Sequence, residues 1–387
     1  MNSHYFADLH IHIGRTESGK AVKITGSRDL TLKNILDTAS SKKGLDIIGI
    51  IDCHSPEVIE EVEVLIKKGE IEQLSQGGLR YQNTTLIPGS EIEIYDENCH
   101  GPIHVLAYFP TLTIMKEFSN WMSLHLKNIQ LSSQRIYCDG LTLQNKVKEL
   151  GGLFIPAHVF TPFKSLYGKG VISSLTEVFD PTLIDGIELG LSSDSEMVKY
   201  ISELERYTFV TNSDAHSLGK LAREYQKVEL KDATFEELQL ALQEREGRKV
   251  VENYGLNPLL GKYHSTACAN CSEPLTKGES VCLNCGSRHF IKGVSTRIHE
   301  LSDLQEPRRK RPPYVHQVPL DFIPGVGPKM IERMLNAFGT EMNILHFVTL
   351  EQLEEVIPQK IAILIDKARK GQLSIDVGGA GKYGKVQ

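Results

Sequence analysis

The sequence predicts an α/β protein with a largely parallel sheet or barrel, followed by a small cysteine module and a helical end. Three observations carry this. Short apolar, β-branched runs alternate with helix-like segments over the first 220 residues, paired CxxC motifs fall within 266–289, and from Pro319 the pattern turns helical. The 387 residues, 40% hydrophobic, allow two or three domains with a full core. No run of ~18 apolar residues indicates a membrane span. The start, MNSHYFADLH, lacks the basic and apolar regions of a secretory signal. Four of seven cysteines stand in CxxC pairs, which suits a reducing compartment, so a cytoplasmic location is expected.

In chain order the apolar runs are YFADLHIH, LDIIGIIDCH, TTLIPGSEIEIY, PIHVLAYF, LFIPAHVF, GIELGL and YTFVTNSDAH. EVIEEVEVLIKKG and LQNKVKELGG carry helical periodicity between them, and residues 234–255 read as a closing helix and strap. The expected organisation is a barrel over 1–260 and a four-cysteine ribbon over 261–300. A basic, Pro-rich linker over 301–318, a helical unit over 319–372 and a tail over 373–387 complete it. Net charge is −6, unevenly spread: residues 1–261 carry 26 basic against 36 acidic side chains, residues 262–387 carry 17 against 13. An acidic body with a basic appendage suits a site rich in carboxylates beside a surface that meets a polyanion.

Most of the apolar runs end in metal-competent residues. His10 and His12 close the first, Asp52 and His54 the second and Glu91 the third; His104 and His158 mark the fourth and fifth, Asp214 and His216 the seventh. Residues i and i+2 of a strand share a face, so His10 and His12 leave the sheet side by side. Imidazole with carboxylate suits zinc, manganese or iron, and a carboxylate such as Glu91 can bridge two ions. Cys53, Cys99 and Cys138 read as small buried hydrophobes.

DLHIH (8–12), IIDCH (50–54), GSE (89–91), HVLAY (104–108), AHV (157–159) and SDAH (213–216) together resemble the polymerase-and-histidinol-phosphatase (PHP) family of metal-dependent phosphoesterases. The resemblance implies a distorted seven-stranded β/α barrel holding two or three divalent ions (Zn, Mn or Mg). It places His10, His12, Glu91 and Asp214 on one ion, Glu91, His104 and His158 on a second, and His54 and His216 on a third. His10, Glu91 and Asp214 would be catalytic, with Asp8 and Asp52 orienting imidazoles. Such ions activate water for attack on phosphorus without a serine or cysteine nucleophile. The family's further ligand after the first HxH is missing from IGRTESGKAVKITGSRD, where Glu17 and Asp29 are the candidates.

Cys268, Cys271, Cys282 and Cys285 have the spacing of a structural zinc ribbon. FIPGVGPKMIERMLNAFG (322–339) resembles a helix-hairpin-helix, in which Gly325 and Gly327 bring main-chain N–H groups to a DNA phosphate beside Lys329 and Arg333. Arg308, Arg309, Lys310 and Arg311 offer a phosphate-contacting arm. Residues 372–377, QLSIDV, loosely resemble sliding-clamp-binding peptides.

The module order resembles the endonuclease Q family of DNA repair enzymes. That resemblance implies nicking 5′ to deaminated bases (hypoxanthine, uracil, xanthine) and abasic sites, leaving 3′-hydroxyl and 5′-phosphate ends. The loop AHVFTPFKSLYGKG then supplies a lesion pocket from Phe160, Phe163, Ser165 and Tyr167, with Lys164 and Lys169 nearby. The alternatives are a small-molecule phosphatase of the PHP type and a DNA-binding scaffold with an inactive barrel.

Overall fold

The computed structural model describes residues 2–261, 263–275 and 280–373, with the backbone of 375–376 and 385–386. In chain order the body begins β1 (Ser3–Ile11), α1 (Leu32–Asp37), β2 (Ile47–Ile50), α2 (Pro56–Lys67), β3 (Ile71–Gln73), β4 (Leu79–Tyr81), β5 (Thr84–Ile94) and β6 (Ile103–Tyr108). It continues with α3 (Leu112–Ser123), α4 (Gly140–Glu149), β7 (Leu153–Pro156), β8 (Ile187–Glu188), α5 (Ser195–Val198), β9 (Phe209–Val210), β10 (Tyr225–Leu230), α6 (Phe235–Leu242) and β11 (Lys249–Gly255).

Seven of these strands close a distorted ring. β1 pairs parallel with β2 and β2 with β5, whereas β5–β6 and β6–β7 are antiparallel. β7 reaches β8 through Asp185 N–H to Phe154 C=O (3.0 Å), and β8 pairs parallel with β9. The ring closes where Ala215 meets Ile11, with His12 N–H donating to Ala215 C=O at 3.1 Å. The sheet is therefore mixed rather than largely parallel. The connection from Ile94 to Ile103 is too short for the crossover that a parallel neighbour needs, so β6 has to run back along β5.

Helices cover the outside of this ring. α2 starts with Pro56 at its first turn and buries Val58, Ile59, Val62 and Leu65 along one face. α4 is capped by the Asp139 side chain, which accepts from Thr142 N–H. Three strands lay outside the expected pattern: the β3–β4 hairpin extends the sheet from β5, and β10 pairs antiparallel with the first half of β1. The expected strap contains β11, antiparallel to β10.

The remaining elements are β12 (Ala267–Cys268), β13 (Phe290–Ile291), α7 (Val294–Leu301), β14 (Tyr314–His316), α8 (Pro328–Phe338), α9 (Glu341–His346), α10 (Leu350–Val356) and α11 (Gln359–Arg369). β14 lies in the stretch read as a linker, yet it adds a parallel strand beside β11. The helical end packs onto the barrel wall. His346 stacks on Phe6 at 4.4 Å and pairs with the Tyr225 hydroxyl at 2.7 Å, and Lys43 meets Glu341 at 2.8 Å. Burial pushes the His346 pKa down to about 4, so this seam is held by a neutral imidazole. Among the described residues no helix is long and apolar enough to cross a membrane.

Candidate metal centre

The carboxyl end of β1 delivers His10 and His12 into the barrel mouth, both wholly buried. Each is held by its Nδ1: His10 by the two oxygens of Glu188 (2.9 and 3.1 Å), His12 by Asp52 Oδ2 (3.1 Å). A carboxylate accepts there, so Nδ1 carries the proton and Nε2 presents its lone pair. Both Nε2 atoms lie 3.4 Å from Asp214 Oδ1 and have no hydrogen-bond partner. His10, His12 and Asp214 thus form a group with ligand atoms within 4.8 Å of one another. Unpartnered buried nitrogens aimed at one carboxylate oxygen fit a divalent ion.

Glu91, His104 and His158 form a second such group. Glu91 Oε1 lies 2.8 Å from His104 Nδ1 and 3.3 Å from His158 Nε2. The same oxygen is 3.5 Å from His10 Nε2, and Oε2 is 3.6 Å from His12 Nε2, so Glu91 stands between the two groups as a bridging carboxylate would. Beyond His104, Glu93 stands 3.6 Å from Nε2 and is paired with Lys164 at 2.8 Å. Burial opposes charge on Glu93, but His104 and Lys164 outweigh it and bring its pKa down to about 2.

Charge and burial compete throughout the mouth. Desolvation works against ionised Glu91 and Asp214, yet His104 and Lys23 for the one and His10 and His12 for the other hold both well below the usual carboxylate range. Burial disfavours a charged His10, but Glu188 and Asp214 raise its pKa well above the ordinary value, so a cation at Nε2 is favoured there, and an ion bound at that nitrogen would take the place of its proton. His158 and Asp214 both have positive φ (31° and 46°), a conformation that non-glycine residues adopt at local cost and that aims them into the mouth. Gly190 makes room for the turn: a Cβ there would stand 2.9 Å from His158 Cβ.

The proposed third ion is a different matter. His216 lies beside His12, with ring centroids 4.6 Å apart, and donates from Nδ1 to Asp214 C=O at 2.9 Å, which leaves Nε2 open. His54 does not join it. Its Nε2 lies 3.3 Å from Leu131 C=O, an acceptor, while Nδ1 pairs with the Ser90 hydroxyl at 2.9 Å, so both nitrogens are committed. Neither Glu17 nor Asp29 reaches the mouth: Glu17 lines a separate groove with Glu57 and Glu61, and Asp29 accepts from Ser27. Lys23 does reach it, 3.2 Å from Glu91 Oε2. Asp52 orients His12 as expected, but Asp8 holds no imidazole. It accepts from the main chain of Ser213 and Ala222 and fixes the loop that carries Asp214.

A cavity of about 440 Å³ opens over the two groups, lined by Glu91, His104, His158, Asp214 and His216 at its floor and by Phe163 and Tyr263 at its side. Of the expected lesion pocket, only Phe163 lines this cavity, its ring edge-on to Tyr263 at 5.6 Å. Phe160 and Tyr167 are buried and stacked on each other at 5.3 Å, and the buried Ser165 hydroxyl donates to Thr161 C=O. They shape the loop from within because the chain folds back there through Tyr167 N–H to Val159 C=O. Glu188, Glu93, Lys23 and Tyr263 escaped the sequence reading. Glu188 had left a signal, a carboxylate inside the apolar run GIELGL, where burial demands a partner.

The four ribbon sulfurs come together, with Cys268–Cys285 at 3.5 Å and Cys271–Cys282 at 3.4 Å. A tetrahedral zinc with Zn–S of about 2.3 Å separates its sulfurs by roughly 3.8 Å, so the set fits a zinc ribbon. The basic stretch divides. Arg308 and Lys310 are exposed, whereas Arg309 donates to Glu205 C=O (2.8 Å) and Tyr207 C=O (3.0 Å). Arg311 donates to Leu204 C=O (2.7 Å) and stacks on Phe209 at 3.7 Å. Two of the four expected phosphate contacts therefore clamp this segment to the barrel, where β8–β9 leaves carbonyls open. Gly325, Gly327, Lys329 and Arg333 are all exposed; Gly325 has φ 87° and Gly327 caps α8. Only a single turn of 3-10 helix, Leu320–Phe322, precedes that loop. Of the clamp-peptide residues, Leu373 packs against the core, and 374 and 377 lie outside the described residues.

No family model matches the sequence. The chain is 60% identical over 382 residues to the Bacillus subtilis protein YqxK, covering 99% of both chains. Among solved structures it is similar to the lesion-specific endonuclease PfuEndoQ of Pyrococcus furiosus, with 32% identity, a TM-score of 0.85, and coverage of 100% of this chain and 95% of that one. The chain belongs to the endonuclease Q family. A second endonuclease Q structure, in complex with a 27-mer duplex carrying an abasic lesion at its active site, matches at a TM-score of 0.84 and 32% identity, covering 100% of this chain and 96% of that one. The family and the paired ligand groups make this chain a metal-dependent nuclease.

Proposed function

We propose that the protein is a DNA repair endonuclease that hydrolyses the phosphodiester 5′ to deaminated bases (hypoxanthine, uracil, xanthine) and abasic sites, leaving 3′-hydroxyl and 5′-phosphate ends. The observation that carries this reading is the pair of ligand groups sharing Glu91 at the floor of an open cavity, in a chain that matches endonuclease Q over its whole length. His10, His12 and Asp214 would hold one divalent ion, and Glu91, His104 and His158 a second. Bound there, zinc, manganese or magnesium lowers the proton affinity of water and stabilises charge on phosphate oxygens. Asp214 would hold the first ion together with His10 and His12, and a carboxylate oxygen left free of that ion would accept the proton that water loses on attack. Glu91 and His10 fix the spacing on which that attack depends.

A site at this depth meets a phosphodiester only where the strand is distorted, and extruding a nucleotide costs least where pairing is already weak. Phe163 and Tyr263 supply aromatic faces for the extruded unit. Lys329, Arg333 and the N–H groups of Gly325 and Gly327, with Arg308 and Lys310, supply the contacts to the flanking phosphates. The test uses labelled oligonucleotides carrying one hypoxanthine, uracil or abasic site, with manganese, magnesium or zinc. A nick immediately 5′ to the lesion, lost in Asp214→Ala, is the expected result. Equal cleavage of undamaged DNA, or turnover of small phosphomonoesters alone, rejects it.

A further inference from the structure

We propose that the Lys23 ammonium supplies the positive charge that a third ion would otherwise carry, so that the barrel works with two metal ions and one fixed cation. The inference rests on the reading of the mouth as a metal-dependent phosphodiesterase site. Lys23 belongs to the segment directly after the HxH pair, the stretch from which the expected further ligand is missing. That segment is held firmly: Lys23 N–H donates to Ile13 C=O at 2.8 Å, Val22 N–H to Gly14 C=O at 3.0 Å, and Ser132 N–H to Val22 C=O at 3.0 Å. The Lys23 side chain is only 15% exposed. Its Nζ donates to Glu91 Oε2 at 3.2 Å and to the Ser133 hydroxyl at 2.6 Å, and it lines the cavity beside Asp214 and His216.

An ammonium has three N–H donors, so two serve the protein and one is left for the cavity. The surrounding chemistry disfavours a third ion. His54, the imidazole assigned to it, has both nitrogens committed to Ser90 and Leu131. Neither acid of the segment turns inward to give a further ion a carboxylate: Glu17 lines a separate groove and Asp29 accepts from Ser27. A fixed ammonium on a bridging carboxylate can instead donate to a non-bridging phosphate oxygen as charge builds there. No proton transfer by Lys23 is needed.

The test is elemental analysis of the purified full chain beside its cleavage kinetics. Wild type should carry about three equivalents of metal, two in the barrel and one in the ribbon. Lys23→Met should keep that content while kcat for nicking falls about 10²–10³-fold with little change in KM, the signature of charge stabilisation lost in the transition state. Lys23→Arg, which keeps the charge, should hold kcat within about tenfold of wild type. Lys23→Asp should gain about one further equivalent. Four equivalents in wild type, unimpaired cleavage by Lys23→Met, or an unchanged metal content in Lys23→Asp would overturn the proposal. The metal counts need no substrate. If wild type fails on lesioned DNA, the repair reading falls, while those counts and the hydrolysis of bis(4-nitrophenyl) phosphate still decide the role of Lys23.

Discussion

The barrel mouth and the loop at Gly325–Gly327 face the same polyanion in the reading given above, and they are built in opposite ways. In the mouth the ligands are mostly buried, and the first two are oriented by further groups: Glu188 behind His10 and Asp52 behind His12. Beside the loop the candidate contacts, Lys329 and Arg333, stand in solvent four residues apart on α8. A metal site tolerates little displacement, so its ligands are fixed before anything binds. A surface that tracks phosphates gains from reach and charge, and its side chains are ordered only on contact. The two regions should therefore respond to mutation on very different scales.

Asp214→Ala should remove the largest effect, at least about 10³-fold in cleavage rate, together with about one equivalent of bound metal. Elemental analysis beside a nicking assay checks both; full metal content in the inactive variant would separate holding the ion from chemistry. Glu188→Gln, one step behind the ligands, should cost about 10–100-fold in activity or metal affinity, because His10 loses the carboxylate that sets its tautomer. If it behaves like wild type, the mouth is less preorganised than its geometry implies.

A stability experiment probes the buried side of the contrast away from the metals. Glu224 is buried and accepts from Leu256 N–H, and desolvation pushes its pKa up to about 8. An acid with a raised folded pKa binds its proton more tightly when folded. Its contribution is full below about pH 4.5 and is lost as pH rises towards 8. Thermal melts should show wild type losing stability over that window and Glu224→Gln losing less. Arg309→Ala, which removes a clamp on the barrel, should lower Tm by about 2–4 °C with little effect on the salt dependence of DNA binding. The double change Lys329→Ala with Arg333→Ala should do the reverse. Tm should hold, affinity should fall modestly for every sequence, and the slope of log K against log salt should shrink by about 2.

Much of the mouth was legible because strand periodicity is strict. His10 and His12 share a face by spacing alone, and the acids and imidazoles at later strand ends could only gather where a closed sheet brings those ends together. The ribbon was legible for a similar reason, since CxxC spacing sets sulfur reach locally. Position in space was not. Phe160 and Tyr167 look like Phe163 in sequence, but the loop folds back and buries two of the three. Arg309 and Arg311 look like Arg308 and Lys310, but open carbonyls at Glu205, Tyr207 and Leu204 capture them.

The sequence by itself determined that metal-competent side chains recur at strand ends, the ribbon, and the succession of α/β body, cysteine module and helical end, because these follow from period, spacing and side-chain chemistry. The tertiary structure alone decided that β6 runs antiparallel, that His54 turns away to Ser90 and Leu131, and that Lys23 reaches Glu91. Those outcomes depend on which distant groups meet inside the closed ring, and the burial that ring imposes leaves each charge or lone pair to be answered by whatever the fold has placed beside it.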